Sequence, residues 1–288
     1  MNPAKWWREI KKLAGQDTKQ EWYHQLLDQD TDAKDLANKI NGYFVGLTDH
    51  FPSLCQRDPP PSVPNEFLVS EYEAYKSLSS LQISKATGPD NIPNRLLKEF
   101  ALELAPIVCN VYNQCLREGY ISTLLKPSVV SPIPKVSPPG SIEKDLRPIS
   151  LTCTMAKVME GFTCTRLLPQ LDGKIDPRQF SRKGHSTTDA LLYMLQAIYE
   201  AVDSGEASAR IFFVDFTKGF DLIDHTLLMQ ELTNLEVHPT LLTWIAAFLT
   251  NRKQAVRVGG TLSDWLTLKG GVPQGTKLGV ILFNVRDD

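Results

Sequence analysis

The chain has 288 residues, 42% hydrophobic and 22% charged, with a formal net charge of -2, the make-up of a soluble globular protein of one large or two small domains. That balance argues against a strongly basic nucleic-acid binder, while local basic patches stay open. Five cysteines (Cys55, Cys109, Cys115, Cys153, Cys164) without CxxC spacing read as reduced intracellular thiols. Lys5, Arg8, Lys11 and Lys12 interrupt any signal core, and the apolar run 241–249 is shorter than the roughly 20 residues needed to cross a bilayer.

Residues 1–50 carry apolar side chains at helical spacing: Leu26, Leu27, Leu36, Ile40, Phe44 and Leu47. The prolines of Arg57-Asp-Pro-Pro-Pro-Ser-Val-Pro64 cannot continue a helix and set a boundary. Residues 1–64 are thus expected to be a helical segment with a proline-rich linker, and 65–288 the main domain. From Val69 a helix is expected through Leu81, with Ser70 and Glu73 in capping-box spacing. The turn Thr87-Gly-Pro-Asp-Asn-Ile-Pro93 leads into a second helix, from Asn94 to about Glu118. Residues 128–134 read as a strand, followed by the turn Pro138-Pro-Gly140 and Arg147-Pro-Ile-Ser-Leu151. Helices are expected over 154–171 and 186–203, the second capped by Ser186. A strand over 210–215 precedes a helix that Asp224 caps, running to about Leu235. A helix over 239–250 and a hairpin around Gly259-Gly260 follow. Helices and strands do not alternate regularly, so the fold class is α+β.

Two stretches carry chemistry. Ile211-Phe-Phe-Val-Asp-Phe-Thr-Lys-Gly-Phe-Asp221 ends an apolar, β-prone run on Asp215. A carboxylate at the end of a buried strand is costly unless it is paired or bound to a cation, so either a divalent metal ligand or a turn-capping residue fits there. Phe220 fits either core packing or an aromatic wall against a sugar, where it would exclude a 2′-hydroxyl. Asp221 and Asp224 read as turn and helix-start residues. The second stretch is Gly270-Gly-Val-Pro-Gln-Gly-Thr-Lys-Leu-Gly279. Gly270 and Gly275 have phosphate-loop spacing, but Thr276 intrudes before Lys277, and Leu278 stands where that motif needs a hydroxyl. These departures argue against a nucleoside triphosphatase. Gln274 instead offers a planar donor–acceptor amide, and Gly275 allows close approach to the backbone. Lys135 and Arg147 flank the Pro138–Gly140 turn, where a hairpin projects both the same way, toward phosphate or toward solvent. His185 lacks a partner at ligand spacing, and Arg182-Lys183 is a weak basic pair.

In this order the motifs resemble the reverse transcriptase of non-LTR (LINE-type) retrotransposons, near the chicken-repeat clade. They are Lys85-Ala-Thr-Gly-Pro-Asp-Asn-Ile-Pro93, Leu146-Arg-Pro-Ile-Ser-Leu151, Gln179-Phe180 with Gly184-His-Ser-Thr-Thr-Asp-Ala-Leu191, Phe213–Asp221 and Gly271–Gly279. The segment from Ala4-Lys-Trp-Trp-Arg-Glu-Ile10 is similar to what precedes the polymerase in such elements. The resemblance implies right-hand polymerase fingers with a ferredoxin-like palm. It implies that Asp215 is a metal-binding aspartate, Phe220 a sugar gate and Arg147 a triphosphate contact, with Lys135 beside it. Gln274 and Gly275 would line the nucleotide site. It also implies two Mg²⁺ ions, an RNA template, a DNA primer and dNTPs, with attack of a primer 3′-hydroxyl on the α-phosphate.

The sequence departs from that pattern in places. It ends at Val285-Arg-Asp-Asp288, before the family's aromatic-x-Asp-Asp hairpin, and Asp287-Asp288 reads as a chain end rather than that hairpin. Gly219 stands where alanine is usual and Val280 where proline is usual, and the Gln179 block is one residue short. The palm is accordingly expected to be incomplete and the chain by itself inactive in polymerisation. The alternative is a noncatalytic remnant that binds RNA in a salt-dependent way. A third reading, an unstable fragment, predicts an exposed sheet edge beside 210–215.

Overall fold

A computed structural model describes Trp6 and residues 22–27, 32–181, 184–205 and 210–287. Most of the expected helices of residues 1–31, the Arg182-Lys183 pair and Asp288 lie outside the described residues. Helix α1 (Ala33–Gly46) is opened by Asp32, whose carboxylate accepts from Asp35 N–H. Its Leu36, Ile40 and Phe44 recur at helical spacing and pack on Val130, Leu146, Val256 and Val258 of the sheet. Helix α2 (Glu71–Ser79) starts at Ser70, which accepts from Glu73 N–H. The capping box is drawn apart on its other side, because the Glu73 carboxylate is taken by both terminal nitrogens of Arg166, at 2.8 and 3.0 Å.

The helix expected over 94–118 is two helices, α3 (Asn94–Glu99) and α4 (Ala101–Glu118), broken where Phe100 leaves helical angles. Gly119, with φ 60°, closes α4 in the left-handed region. Strands β1 (Ser128–Pro134) and β2 (Leu146–Thr152) form the expected hairpin, pairing Ile133 with Arg147 and Val130 with Ser150. Helices α5 (Thr154–Leu171), α6 (Thr187–Asp203), α7 (His225–Asn234) and α8 (Pro239–Leu249) follow. The expected caps on α6 and α7 form: Ser186 and Asp189 make a reciprocal capping box, and Asp224 accepts from Thr226 and Leu227 N–H.

After α8 come β3 (Lys253–Val258), β4 (Thr261–Leu262), β5 (Leu266–Thr267) and α9 (Lys277–Asp287). The sheet order is β2-β1-β3-β4, with β5 also on β3. β1 and β3 are parallel and the other pairs antiparallel, so the sheet is small and mixed. The Gly259-Gly260 hairpin is interrupted because Ser263 turns its hydroxyl to Val256 N–H at 2.8 Å. The main core gathers α4, α5, α7, α8 and α9 around Tyr112, Phe162 and Trp244. Tyr112 and Phe162 meet edge to face at 5.2 Å, and the Tyr112 hydroxyl is satisfied by Thr163 at 3.0 Å. Burying side chains of this size stabilises by about 2–3 kcal/mol each.

The strand expected over 210–215 does not form. Phe212, Phe213 and Val214 are 89, 78 and 69% exposed. Among the described residues the segment pairs with no strand of the sheet, and no main-chain hydrogen bond outside the regular elements involves residues 211–215. An apolar run gains a strand only where a neighbour accepts its N–H and C=O groups. Helix α6 likewise has no buried residue among those described.

Candidate nucleotide site

The 270–275 loop is held from three sides. Gly271 N–H donates to Ile223 O at 2.8 Å and Val272 N–H to Phe220 O at 2.9 Å, which lays the loop along the 220–223 turn. The Gly271 carbonyl faces His225 Nε2 at 2.7 Å. Burial pushes the His225 ring below its ordinary pKa, so the neutral tautomer with its proton on Nε2 donates this bond. On the far side Gln274 O accepts from β2 at Ser150. Gly275, at φ +106°, adopts a backbone that L side chains rarely take and reverses the chain into α9. Thr276 Oγ1 then accepts from Gly279 N–H at 3.1 Å.

This frame brings together several expected site residues. Phe220 and Asp221 share one turn, and Gln274 reaches back to it: its Nε2 lies 3.2 and 3.4 Å from the two Asp221 carboxylate oxygens. Burial pushes the Asp221 carboxyl up to about 6, against the opposing pull of Lys218, Gln274 and Lys135. Lys135 therefore contributes its field here from the hairpin tip. The register that pairs Ile133 with Arg147 puts Lys135 and Arg147 on the same face of the hairpin. Both are exposed, and neither is ion-paired among the described residues. The tip itself is ordered by Asp145, whose carboxylate accepts from Gly140 and Ser141 N–H at 2.9 Å each. The Phe220 ring stacks on Phe283 at 4.6 Å, so it is also anchored to α9.

Asp215 is not brought in. It is exposed, on the extended segment before this turn. Among the described residues no group of three His, Cys, Asp or Glu side chains is gathered. A single exposed carboxylate does not make a closed metal site. Asp287 ends a helix, not a hairpin strand. The large groove between α5 and α9 holds about 1020 Å³ and is lined by Gln179, His185, Lys277 and Asn284 among others. His185 meets Phe180 edge on at 6.0 Å.

Two features were hidden from sequence reasoning. Asp221, read as a turn residue, is the partner of Gln274; one signal was a carboxylate next to an aromatic in an otherwise apolar turn. Beneath the loop lies a buried charge cluster: Glu160, Arg252 and Lys126 are 1, 1 and 4% exposed. Neither Glu160 oxygen has a hydrogen-bond partner among the described residues. Burial pushes its carboxyl up to about 7, offset chiefly by the charge of Arg252. Arg252 is pushed down to about 10 by burial, lies over the Phe248 ring at 4.6 Å and is still a cation at neutral pH. Lys126 is lowered to about 8 by burial, then by Arg252, while its ammonium donates to Thr250 O at 3.0 Å.

The arrangement thus joins a hairpin with two unpaired cations to a glycine-bounded loop carrying one oriented amide. Residues 133–286 match the family described as Reverse transcriptase (RNA-dependent DNA polymerase), and the chain belongs to that family, in its non-LTR, LINE-type branch. It is 28% identical over 74% of its length to the probable RNA-directed DNA polymerase from transposon BS of Drosophila melanogaster, covering 24% of that protein. To the X-element protein of the same fly it is 30% identical over 69%, covering 22%. To the RNA-directed DNA polymerase from mobile element jockey it is 27% identical over 87%, covering 28%. The chain spans about a quarter of the length of these relatives.

Proposed function

We propose that the chain binds a deoxynucleoside triphosphate between the β1–β2 hairpin and the 270–275 loop, as the fingers and partial palm of a LINE-type reverse transcriptase. The observation that carries this reading is the Ser150–Gln274 main-chain bond together with the Gln274–Asp221 contact. They hold the amide loop between the cationic hairpin and the Phe220 turn. Arg147 supplies bidentate phosphate contacts and Lys135 a point charge. Phe220 walls the sugar, and Gln274 and Gly275 line the opposite side. The RNA template and DNA primer are the partners this reading assigns, and residues 65–288 are its polymerase domain, with α1 docked on the sheet. The reaction of such a domain joins a primer 3′-hydroxyl to the α-phosphate and releases pyrophosphate. In this chain Asp215 stands exposed off the sheet, so we assign it binding without extension. Magnesium, when bound, would supply Lewis-acid stabilisation of the phosphoryl oxygens.

Equilibrium binding of a fluorescent dNTP, beside primer extension on an RNA template with Mg²⁺ or Mn²⁺, tests both parts. Arg147→Ala is expected to weaken dNTP binding by about tenfold, the loss of one charge-assisted contact. Wild-type protein that binds no dNTP would remove the nucleotide reading. Extension that vanishes in Asp215→Asn would overturn the assignment of binding without extension.

A further inference from the structure

We infer that Asp221 is a positioning residue that fixes the orientation of the Gln274 side-chain amide, so that its oxygen faces the ligand space as an acceptor. The inference rests on the nucleotide reading only for what that oxygen meets. Among the described residues, the Gln274 amide nitrogen has Asp221 as its side-chain partner, at 3.2 and 3.4 Å. The Gln274 backbone is independently pinned by Ser150 N–H at 3.0 Å, so the side chain swings from a fixed point. The two ends of a glutamine amide have the same shape, and only the hydrogen-bond partner decides which end points where. An ionised carboxylate accepts and cannot donate, so it takes the NH₂ end. One N–H is spent on Asp221, leaving Oε1 and the second N–H for a ligand. A neutral partner with both donor and acceptor would allow either orientation.

The surroundings support a carboxylate that stays put. Asp221 lines a small cavity with Ser128, Ser150, Arg252 and Gln254, under the 270–273 loop. The charged groups that face it are Lys218 on its own turn, Lys135 from the hairpin and, across the cavity, Arg252. Lys218 is itself held over the Tyr43 ring of α1, at 4.0 Å from its centroid. Because burial raises the Asp221 carboxyl to about 6, protonation comes within reach of mildly acid pH and would let the amide take either orientation.

The test is a double-mutant cycle on dNTP binding, read beside the ¹⁵N signal of the Gln274 side-chain amide. Asp221→Asn is expected to weaken dNTP binding by about tenfold in the native background, the effect of losing a hydrogen bond to a charged group. The same change in Gln274→Ala protein is expected to have no further effect, since Asp221 acts through the amide. Thermal melting shows that each variant is folded. The amide signal is expected to titrate near pH 6 in wild-type protein and to stay flat in Asp221→Asn. Equal losses in both backgrounds, undiminished binding by Asp221→Asn, or a Gln274 amide signal that is the same in wild type and Asp221→Asn would overturn the inference and leave the nucleotide site standing. Wild-type protein that binds no dNTP but shows the Asp221-dependent titration would remove the nucleotide reading and leave the positioning role intact.

Discussion

Glutamine in place of Glu160 should remove a large pH dependence from the stability of this fold. Glu160 is 1% exposed on α5, under the start of α9, with Arg252 its main favourable neighbour. Its carboxyl is raised from an ordinary 4.5 to about 7. The folded protein therefore keeps a proton that the unfolded chain gives up, and ionisation works against folding. The stability contributed by the protonated form is fully present below about 4.5 and falls as pH rises to about 7. At about 1.4 kcal/mol per decade of acidity, the loss is about 3 kcal/mol. Asp221 titrates with the same sign over its own window, and buried His225 with the opposite sign, so the comparison must be between Glu160→Gln and wild type at each pH. Urea unfolding at pH 5 and pH 8 gives both free energies. The wild-type protein should lose about 2.5 kcal/mol more than the variant between these values, since part of the loss has already occurred at pH 5. A variant whose pH slope matches wild type would refute the reasoning, because Glu160 would then be ionised at both pH values.

Other substitutions test how the frame is held. Gly88→Ala would place a methyl within 2.6 Å of Cys153 N and Thr152 O, all backbone, and should destabilise by about 2 kcal/mol in the same urea assay. Arg166 donates to the Phe67, Leu68 and Phe162 carbonyls and to Glu73. Arg166→Met should cost about 3–5 kcal/mol, and Arg166→Lys should recover little of it, because an ammonium cannot reproduce the fork. Alanine at Lys135 or Arg147 should each lower the slope of log affinity against log salt for RNA by about 1, with stability unchanged, as measured by filter binding. An unchanged slope would take both residues off the phosphate path.

Much of this protein was legible in its residues. Ser186 and Asp224 fixed where two helices begin, because short polar side chains satisfy the first free N–H groups locally. The alternation in 128–134 and the turn at Pro138–Gly140 set a hairpin whose register puts Lys135 and Arg147 on one face. The order of the motifs named the family, since each depends on residue type at fixed spacing. What depends on neighbours far along the chain was not legible. The apolar run 211–214 has every local preference for a strand, yet main-chain pairing needs a partner, and among the described residues none pairs with it. Phe100 breaks a helix that periodicity makes continuous. Glu160, at an ordinary position in its helix, acquires its raised pKa only because the fold buries it. Asp221 and Gln274 are 53 residues apart, and only the bonds of Gly271 and Val272 to the 220–223 turn bring carboxylate and amide within reach. Local sequence decided which helices and turns form, because their hydrogen bonds close within a few residues; the tertiary structure decided which charges are buried and which amide is oriented, because those energies arise between segments that meet only after folding.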